Sequence, residues 1–125
     1  MSALYKIGRV VFGGFFLYNG INHLLHKEDL AQYAKAKGIP EPEAAVVASG
    51  VLLTMGGASL LFGINPKLGS LAVSTFLGTV SPLMHDFWNG ADAAARQNDL
   101  IHFSKNMAML GAALAFHGAE HSKSA

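Results

Sequence analysis

The sequence predicts an all-α integral membrane protein in which four antiparallel helices form a bundle with short loops. Composition is the first reason, because hydrophobic residues make up 51% of the 125 residues and charged residues only 14%, against roughly 25% charged in a soluble domain. The second is that four apolar stretches recur, each near the roughly 20 residues that a membrane-spanning helix needs. The third is length, since residues 1–125 have room for one domain.

The four predicted helices cover approximately residues 4–25, 44–64, 67–87 and 100–117. The first is a helix of the mature protein whose opening turns carry Arg9, near the membrane surface opposite its polar end. The second follows Pro42, which suits the first turn of a helix. These features predict the first two helices of the bundle.

Asn65-Pro66 is a capping residue followed by a first-turn proline, so the second and third helices are expected to form a tight hairpin. Residues 89–98 are small and polar and are expected to form a loop. Asp99 would then be the N-cap of the last helix. A soluble four-helix bundle is the alternative fold. It is disfavoured because the second and third stretches are apolar or small on all sides, whereas a soluble helix carries an apolar stripe.

Polar residues collect at one end of this predicted bundle. Antiparallel packing places the end of the first helix, the start of the second, the end of the third and the start of the fourth on the same side of the membrane. Amides and charges are rarely left facing lipid, so these residues are expected to line a polar pocket covered by Phe87 and Trp88. The candidate site residues are His85 and Asp86, with Asn19, Asn22, His23, Trp88, His102, Lys105 and Asn106.

The pocket has two interpretations. In the first it is a structural plug in which Asp86 pairs with Lys105 and the other polar groups satisfy helix ends. In the second it binds a quinone headgroup from the membrane, because His and Asn can bond its carbonyls, Trp88 can stack on its ring, and His85 with Asp86 can exchange protons. Lys105 would balance Asp86 and steady a reduced headgroup.

Other ligand classes receive less support from the sequence. A bis-His haem built from His23 with His85 or His102 is compatible with the residue types, and so is a metal held by these histidines and Asp86, but no diagnostic spacing requires either. Nine basic against eight acidic residues give no charge excess that would indicate nucleic acid. With no cysteine, redox chemistry would need a bound cofactor or a partner protein.

Several motifs in order resemble the DoxX family. They are Gly8-Arg9 before an apolar run to Gly20-x-x-His23, Gly56-Gly57 leading to Pro66-Lys67-Leu68-Gly69, then His85-Asp86-Phe87-Trp88, and finally Lys105-Asn106 before a small-residue helix. The resemblance implies a bacterial inner-membrane protein of four helices, similar to the small membrane subunit of thiosulfate:quinone oxidoreductase and to proteins linked to oxidative stress. We expect a quinone-linked accessory or anchor subunit of an oxidoreductase, surrounded by lipid. The alternative is a non-catalytic scaffold that docks a soluble redox partner.

Overall fold

The computed structural model describes residues 2–124, with side chains as far as Glu120, and this part of the chain contains helices and no strands. The elements are α1 (Ala3–Leu25), α2 (Lys27–Ala36), α3 (Pro42–Phe62), α4 (Pro66–Met84), a 3₁₀ turn (Phe87–Asn89) and α5 (Ala93–Ser124). The all-α fold class is confirmed.

Glycines set the contact between α1 and α3, which is the most extensive in the molecule. A Cβ added at Gly57 would lie 2.3 Å from the backbone nitrogen of Leu17, and one added at Gly20 would lie 2.4 Å from the backbone nitrogen of Thr54. Only glycine permits the two helix backbones to approach this closely. Phe16 and Leu53 are buried beside this contact and join α1 and α3 to the core.

A tight turn connects α3 to α4, as the sequence predicts. Gly63 ends α3 at φ 70° and Asn65 precedes Pro66 at φ 52°, so both lie in the left-handed region. The Ser59 hydroxyl stabilises the turn by donating to the carbonyls of Ile64 at 2.7 Å and Asn65 at 2.9 Å. Pro66 opens α4, where its missing N–H costs nothing.

The last helix starts earlier than predicted. Asp92, and not Asp99, accepts a hydrogen bond from the backbone N–H of Ala95 at 2.8 Å and caps α5. Asp99 lies inside α5 and is 5% exposed. The expected loop over residues 89–98 is therefore wrong for residues 93–98, because Asp92 is itself a good N-cap and the alanines after it favour a helix. At the other end of this connection α4 stops at Met84, so His85 and Asp86 follow the helix.

A fifth helix, α2, lies between the first two predicted helices, where only a connection was expected. Its first turn carries Glu28 and Asp29 and its last turn carries Lys35, an order that the helix dipole favours. Ala31 and Ala34 are buried against Val46 of α3, with partly buried Leu30, Ile39 and Met84 around them. This short amphipathic helix covers the end of the bundle at which α4 finishes.

The bundle is closed at one end and open at the other between α1 and α5. At the closed end Phe116 of α5 packs against Tyr5, with ring centroids 5.6 Å apart, and against Phe12 at 5.1 Å. The Tyr5 hydroxyl also donates to the Glu120 carboxylate. At the opposite end, residues of α1 and α5 line the cavity described below.

Among the described residues, one helix is both long and apolar enough to cross a membrane by itself, Pro42–Phe62, with a mean hydropathy of 1.9 over its most apolar window. The other long helices fall short because charged or polar side chains interrupt them. Lys6 and Arg9 do so in α1, and Lys105 does so in α5. Hydropathy therefore supports one membrane span directly.

Candidate functional site

A cavity of about 350 Å³ lies between α1, α4 and α5 at the open end of the bundle, beneath α2. Six of the nine predicted site residues line it: Asn19, His23, His85, His102, Lys105 and Asn106. Its apolar walls come from Phe15, Phe16, Leu30, Tyr33, Phe76, Leu77, Val80, Met84 and Met109. The three other predicted residues, Asn22, Asp86 and Trp88, do not line it, so the pocket is smaller and more apolar than the sequence predicts.

The α1 side of the cavity carries one histidine with a fixed orientation. The Nδ1–H of His23 donates to the carbonyl of Asn19 at 2.8 Å, so its Nε2 is the nitrogen left to accept a hydrogen bond. The ring meets Phe76 of α4 edge to face, with centroids 5.9 Å apart. The Asn19 amide donates to the Phe15 carbonyl at 2.8 Å.

Two histidines stack on the opposite wall. The rings of His85 and His102 are 4.9 Å apart at an interplanar angle of 23°. The Nδ1–H of His85 donates to the Asp99 carboxylate at 3.4 Å, a long hydrogen bond. Burial lowers the pKa of His85, and the hydrogen bond to Asp99 opposes this effect only in part. His85 is therefore mostly neutral at pH 7.

Lys37, just beyond α2, joins the two carboxylates behind these histidines. Its ammonium donates to Asp86 at 2.9 Å and to Asp99 at 2.8 Å. The Lys37 hydrogen bond holds the pKa of the Asp86 carboxyl below the ordinary range, and the bond to Asp99 is the largest cause that raises the pKa of Lys37. Asn89 also donates to Asp86, at 3.2 Å. We call Lys37, Asp86 and Asp99 the ion-pair cluster.

The expected Asp86–Lys105 pair is therefore wrong. Asp86 follows α4 and turns toward Lys37, whereas Lys105 lies on α5 at the mouth of the cavity and is exposed. Within the described residues Lys105 takes part in no salt bridge. Its ammonium can therefore meet a ligand at the cavity mouth.

Trp88 packs outside the cavity, so its predicted stacking on a ligand receives no support from the cavity lining. Its ring meets Phe87 at 5.1 Å and Phe103 at 6.1 Å, and it is 54% exposed. The 3₁₀ turn after Asp86 places the two aromatics against Phe103 of α5, outside the cavity lining. They form an exposed aromatic surface beside the site.

Sequence reasoning missed two residues of this region, Lys37 and Asp99. Lys37 lies in a segment assigned to a connection, and Asp99 was interpreted as a cap. The signal for Lys37 was present, because Leu30, Ala31 and Ala34 recur at helical spacing just before Gly38, a residue that commonly ends a helix.

A second cavity, also of about 350 Å³, adjoins the first on the other side of the bundle. It lies between α3 and α4 beneath α2. Six residues line both cavities: His23, Leu30, Tyr33, Phe76, Val80 and Met84. Its own lining is mainly aliphatic, and the hydroxyls of Ser49 and Thr75 are bonded to the carbonyls of Val46 and Leu71.

Arg9 lies at the closed end, on the far side of the molecule from the cavity. Its guanidinium packs against Gly63, where an added Cβ would lie 2.8 Å from it, and so it covers the C-terminus of α3. A cation at this position stabilises the negative end of the helix dipole. This contact agrees with the expected placement of Arg9 away from the polar site.

A family model described as DoxX matches residues 4–86, which is more than half of the chain. The chain belongs to the DoxX family. The resemblance drawn from the sequence motifs is confirmed, and with it the membrane character of the protein. The matched region runs from α1 through Asp86, so it includes His23 and His85 of the site, while the DoxX match does not extend to α5. Neither a curated protein nor a solved structure matches the chain.

Proposed function

We propose that this DoxX protein is a multi-pass protein of the bacterial inner membrane, with α1, α3, α4 and α5 embedded and α2 at the surface. Large apolar side chains on the outer faces of all four helices support this arrangement, since lipid is the solvent that favours them. They are Leu4, Ile7, Val11, Met55, Phe62, Leu68, Leu71 and Leu114, each at least half exposed. The charged face of α2 suits the headgroup layer.

We propose further that the cavity between α1 and α5 binds a quinone headgroup. A volume of about 350 Å³ equals roughly a dozen water volumes of ~30 Å³, which is about the number of non-hydrogen atoms in a substituted benzoquinone ring. The apolar walls suit the ring. His23 Nε2, His102, Asn106 and Lys105 supply polar groups at separate points around the rim, as two opposite carbonyls require.

The observation that most supports this proposal is that Lys105, at the cavity mouth, forms no salt bridge within the described residues. The ion-pair cluster already satisfies Asp86 and Asp99 without it. A cation kept at the mouth of a mostly apolar cavity without a carboxylate partner favours a ligand that becomes more negative. A quinone does so when it takes up electrons ahead of the two protons that complete its reduction to the neutral quinol.

Protons would reach the site from the polar side of the bundle. His102 stacks on His85, and His85 is bonded to Asp99, which the Lys37 ammonium joins to Asp86 nearer the surface. The imidazoles of His102 and His85 can each accept and donate a proton, so they can hold and pass the protons, whereas the ion-pair cluster keeps His85 oriented. His85 keeps its predicted proton-handling role. Asp86 becomes a positioning residue.

The electrons would come from a partner oxidoreductase, because the chain has no cysteine and none of its side chains in the cavity is a redox carrier. We therefore propose a quinone-linked accessory or anchor subunit. Oxidative-stress protection is a role that such a subunit would fit.

Binding can be measured with Trp88, the single tryptophan, whose fluorescence a nearby quinone quenches. We expect purified protein in nanodiscs to bind a short-chain quinone, and His102→Ala and Asn106→Ala to weaken binding at least tenfold at unchanged thermal stability. Ser104→Ala, on an exposed face of α5 outside the cavity, is the control. Equal affinity in all four proteins, or no binding by the parent, would reject the quinone site.

A non-catalytic scaffold remains the second candidate function, because the exposed aromatic surface of Trp88, Phe87 and Phe103 could contact a soluble partner. The two proposals differ in what His85→Ala and Lys105→Met do. A ligand site predicts lost binding in a protein that still folds, whereas a purely structural cluster predicts lost folding. Substituting Trp88 should release the partner enzyme only if the scaffold proposal holds.

A further inference from the structure

The second cavity is the starting point, because the headgroup cavity is too small for a membrane quinone as a whole. Each cavity measures about 350 Å³, which is room for roughly a dozen non-hydrogen atoms at ~30 Å³ each. A headgroup fills one such space. The apolar tail of a membrane quinone must then lie elsewhere.

The two cavities adjoin along a wall made of side chains. His23 of α1 and Phe76 of α4 meet edge to face in that wall, and Leu30 and Tyr33 of α2 lie above it. Tyr33 is 43% exposed, so its ring can move outward at little cost in packing. A chain passing beneath α2 would therefore displace side chains and no backbone.

The first cavity has polar residues on its walls, which suit a headgroup, and the second is mainly aliphatic, which suits an apolar tail. The first has His85, His102, Lys105 and Asn106 on its walls, and none of these four lines the second. In their place the second cavity has Ala45, Ala48, Leu52 and Leu83, among others. The hydroxyls of Ser49 and Thr75 are bonded to their own helices, so they present little polarity to a ligand.

We propose that the cavity between α3 and α4 binds the first isoprene units of the tail of the same quinone, so that the ligand passes beneath α2 with its head between α1 and α5. This inference rests on the proposed quinone site and adds its substrate class: quinones with a prenyl tail. At ~30 Å³ per heavy atom the second cavity holds about two isoprene units. The remaining tail would leave through the groove between α3 and α4, where Ala48, Thr75 and Thr79 are exposed.

The tail would gain binding free energy from packing in the second cavity and not from leaving water, because the lipid around it is as apolar as the cavity. Tail length alone is therefore a poor test. A plug inside the second cavity is a better one, because it clashes with a tail there and leaves the headgroup cavity unchanged.

The experiment compares two quinones with the same headgroup, one carrying two isoprene units and one carrying a methyl group, by Trp88 quenching in nanodiscs. Ala48→Phe places the plug from α3 and Thr79→Phe places it from α4, so a folding defect in one variant does not end the test. Ala108→Phe, exposed on α5 and lining neither cavity, is the matched control.

We expect both plugs to weaken binding of the prenylated quinone at least tenfold while Ala108→Phe does not, and all variants to bind the methyl quinone like the parent. Unchanged binding of the prenylated quinone by both plugs would overturn the proposal, since its tail would then leave between α1 and α5. A phospholipid that native mass spectrometry finds in the parent and not in the plugs, at equal quinone affinity, would also overturn it. If neither quinone binds the parent, the proposed function itself fails.

Discussion

Replacing Lys37 by Met tests the most consequential difference between the predicted and the observed site. The substitution keeps an unbranched side chain of nearly the same length and removes the charge that joins Asp86 and Asp99 at 2.9 and 2.8 Å. The Asp99 side chain is 7% exposed and would retain only its 3.4 Å contact with His85. The Asp86 side chain is 23% exposed and would keep partial access to water.

The expected loss follows from these exposures. Removing one partner of a buried pair costs about 3–5 kcal/mol, whereas an exposed pair contributes about 0–1 kcal/mol. The cluster lies between these limits, with one carboxylate nearly buried and one partly solvated. We therefore expect Lys37→Met to lower the free energy of unfolding by about 2–3 kcal/mol.

The assay is denaturant titration in mixed micelles, followed through Trp88. Lys35→Met is the matched control, because Lys35 lies two positions earlier, is exposed and forms no salt bridge within the described residues. Its effect should stay within about 0.5 kcal/mol. A double-mutant cycle with Asp99→Asn should give a coupling energy of about 1–3 kcal/mol.

Either of two results would refute this reasoning. One is that Lys37→Met destabilises no more than Lys35→Met does. The other is a coupling energy near zero between Lys37 and Asp99, which would mean that the cluster contributes nothing to stability.

Three further predictions follow from the same contacts. Lys105→Met should weaken quinone binding at least tenfold. It should change the unfolding free energy by less than about 0.5 kcal/mol, because Lys105 has no carboxylate partner to lose. A destabilisation like that of Lys37→Met would instead favour the interpretation of the polar cluster as a structural plug. Gly57→Ala should lower the free energy of unfolding by about 3 kcal/mol through overpacking, because its Cβ would lie 2.3 Å from the α1 backbone. Gly14→Ala is the control: an added Cβ there has nothing within 4 Å, so thermal unfolding should show an unchanged or higher stability. The depressed pKa of Asp86 makes its stabilisation complete above the ordinary value of 3.8 and lost as the pH falls through the lower folded value. Melting curves from pH 7 to pH 2 should show this loss in the parent and a smaller one in Lys37→Met.

Hydropathy and turn chemistry were enough to predict the four long helices and the turn at Asn65-Pro66, because both are local properties of the sequence. They did not predict α2, whose apolar face is only a few small residues wide and is stabilised by packing on Val46. The start of α5 was placed too late because the prediction used the apolar stretch and ignored Asp92 as a cap. Boundaries of this kind depend on single hydrogen bonds.

The candidate site was predicted in part for a related reason. Helix spacing correctly grouped His102, Lys105 and Asn106 on one wall, because the residues of a regular helix face can be counted. It failed at His85-Asp86-Phe87-Trp88, where the helix has ended and successive residues point in unrelated directions. Only the histidine of that motif lines the cavity, and the partner of Asp86 comes from a segment 49 positions away.

The position of the cavity follows from how the two ends of the bundle are packed. At the closed end the ring of Phe116 fills the space between α1 and α5, and the Tyr5–Glu120 hydrogen bond holds the helices there. At the open end Asn19 and His23 of α1 and Lys105 and Asn106 of α5 line the cavity, which the neighbouring aromatic rings leave unfilled. Polar side chains in that gap would be costly against lipid unless something bonded them. The proposed quinone headgroup, with two carbonyls in an apolar ring, would meet that requirement, and α2, linked to Asp86 and Asp99 through Lys37, would cover it.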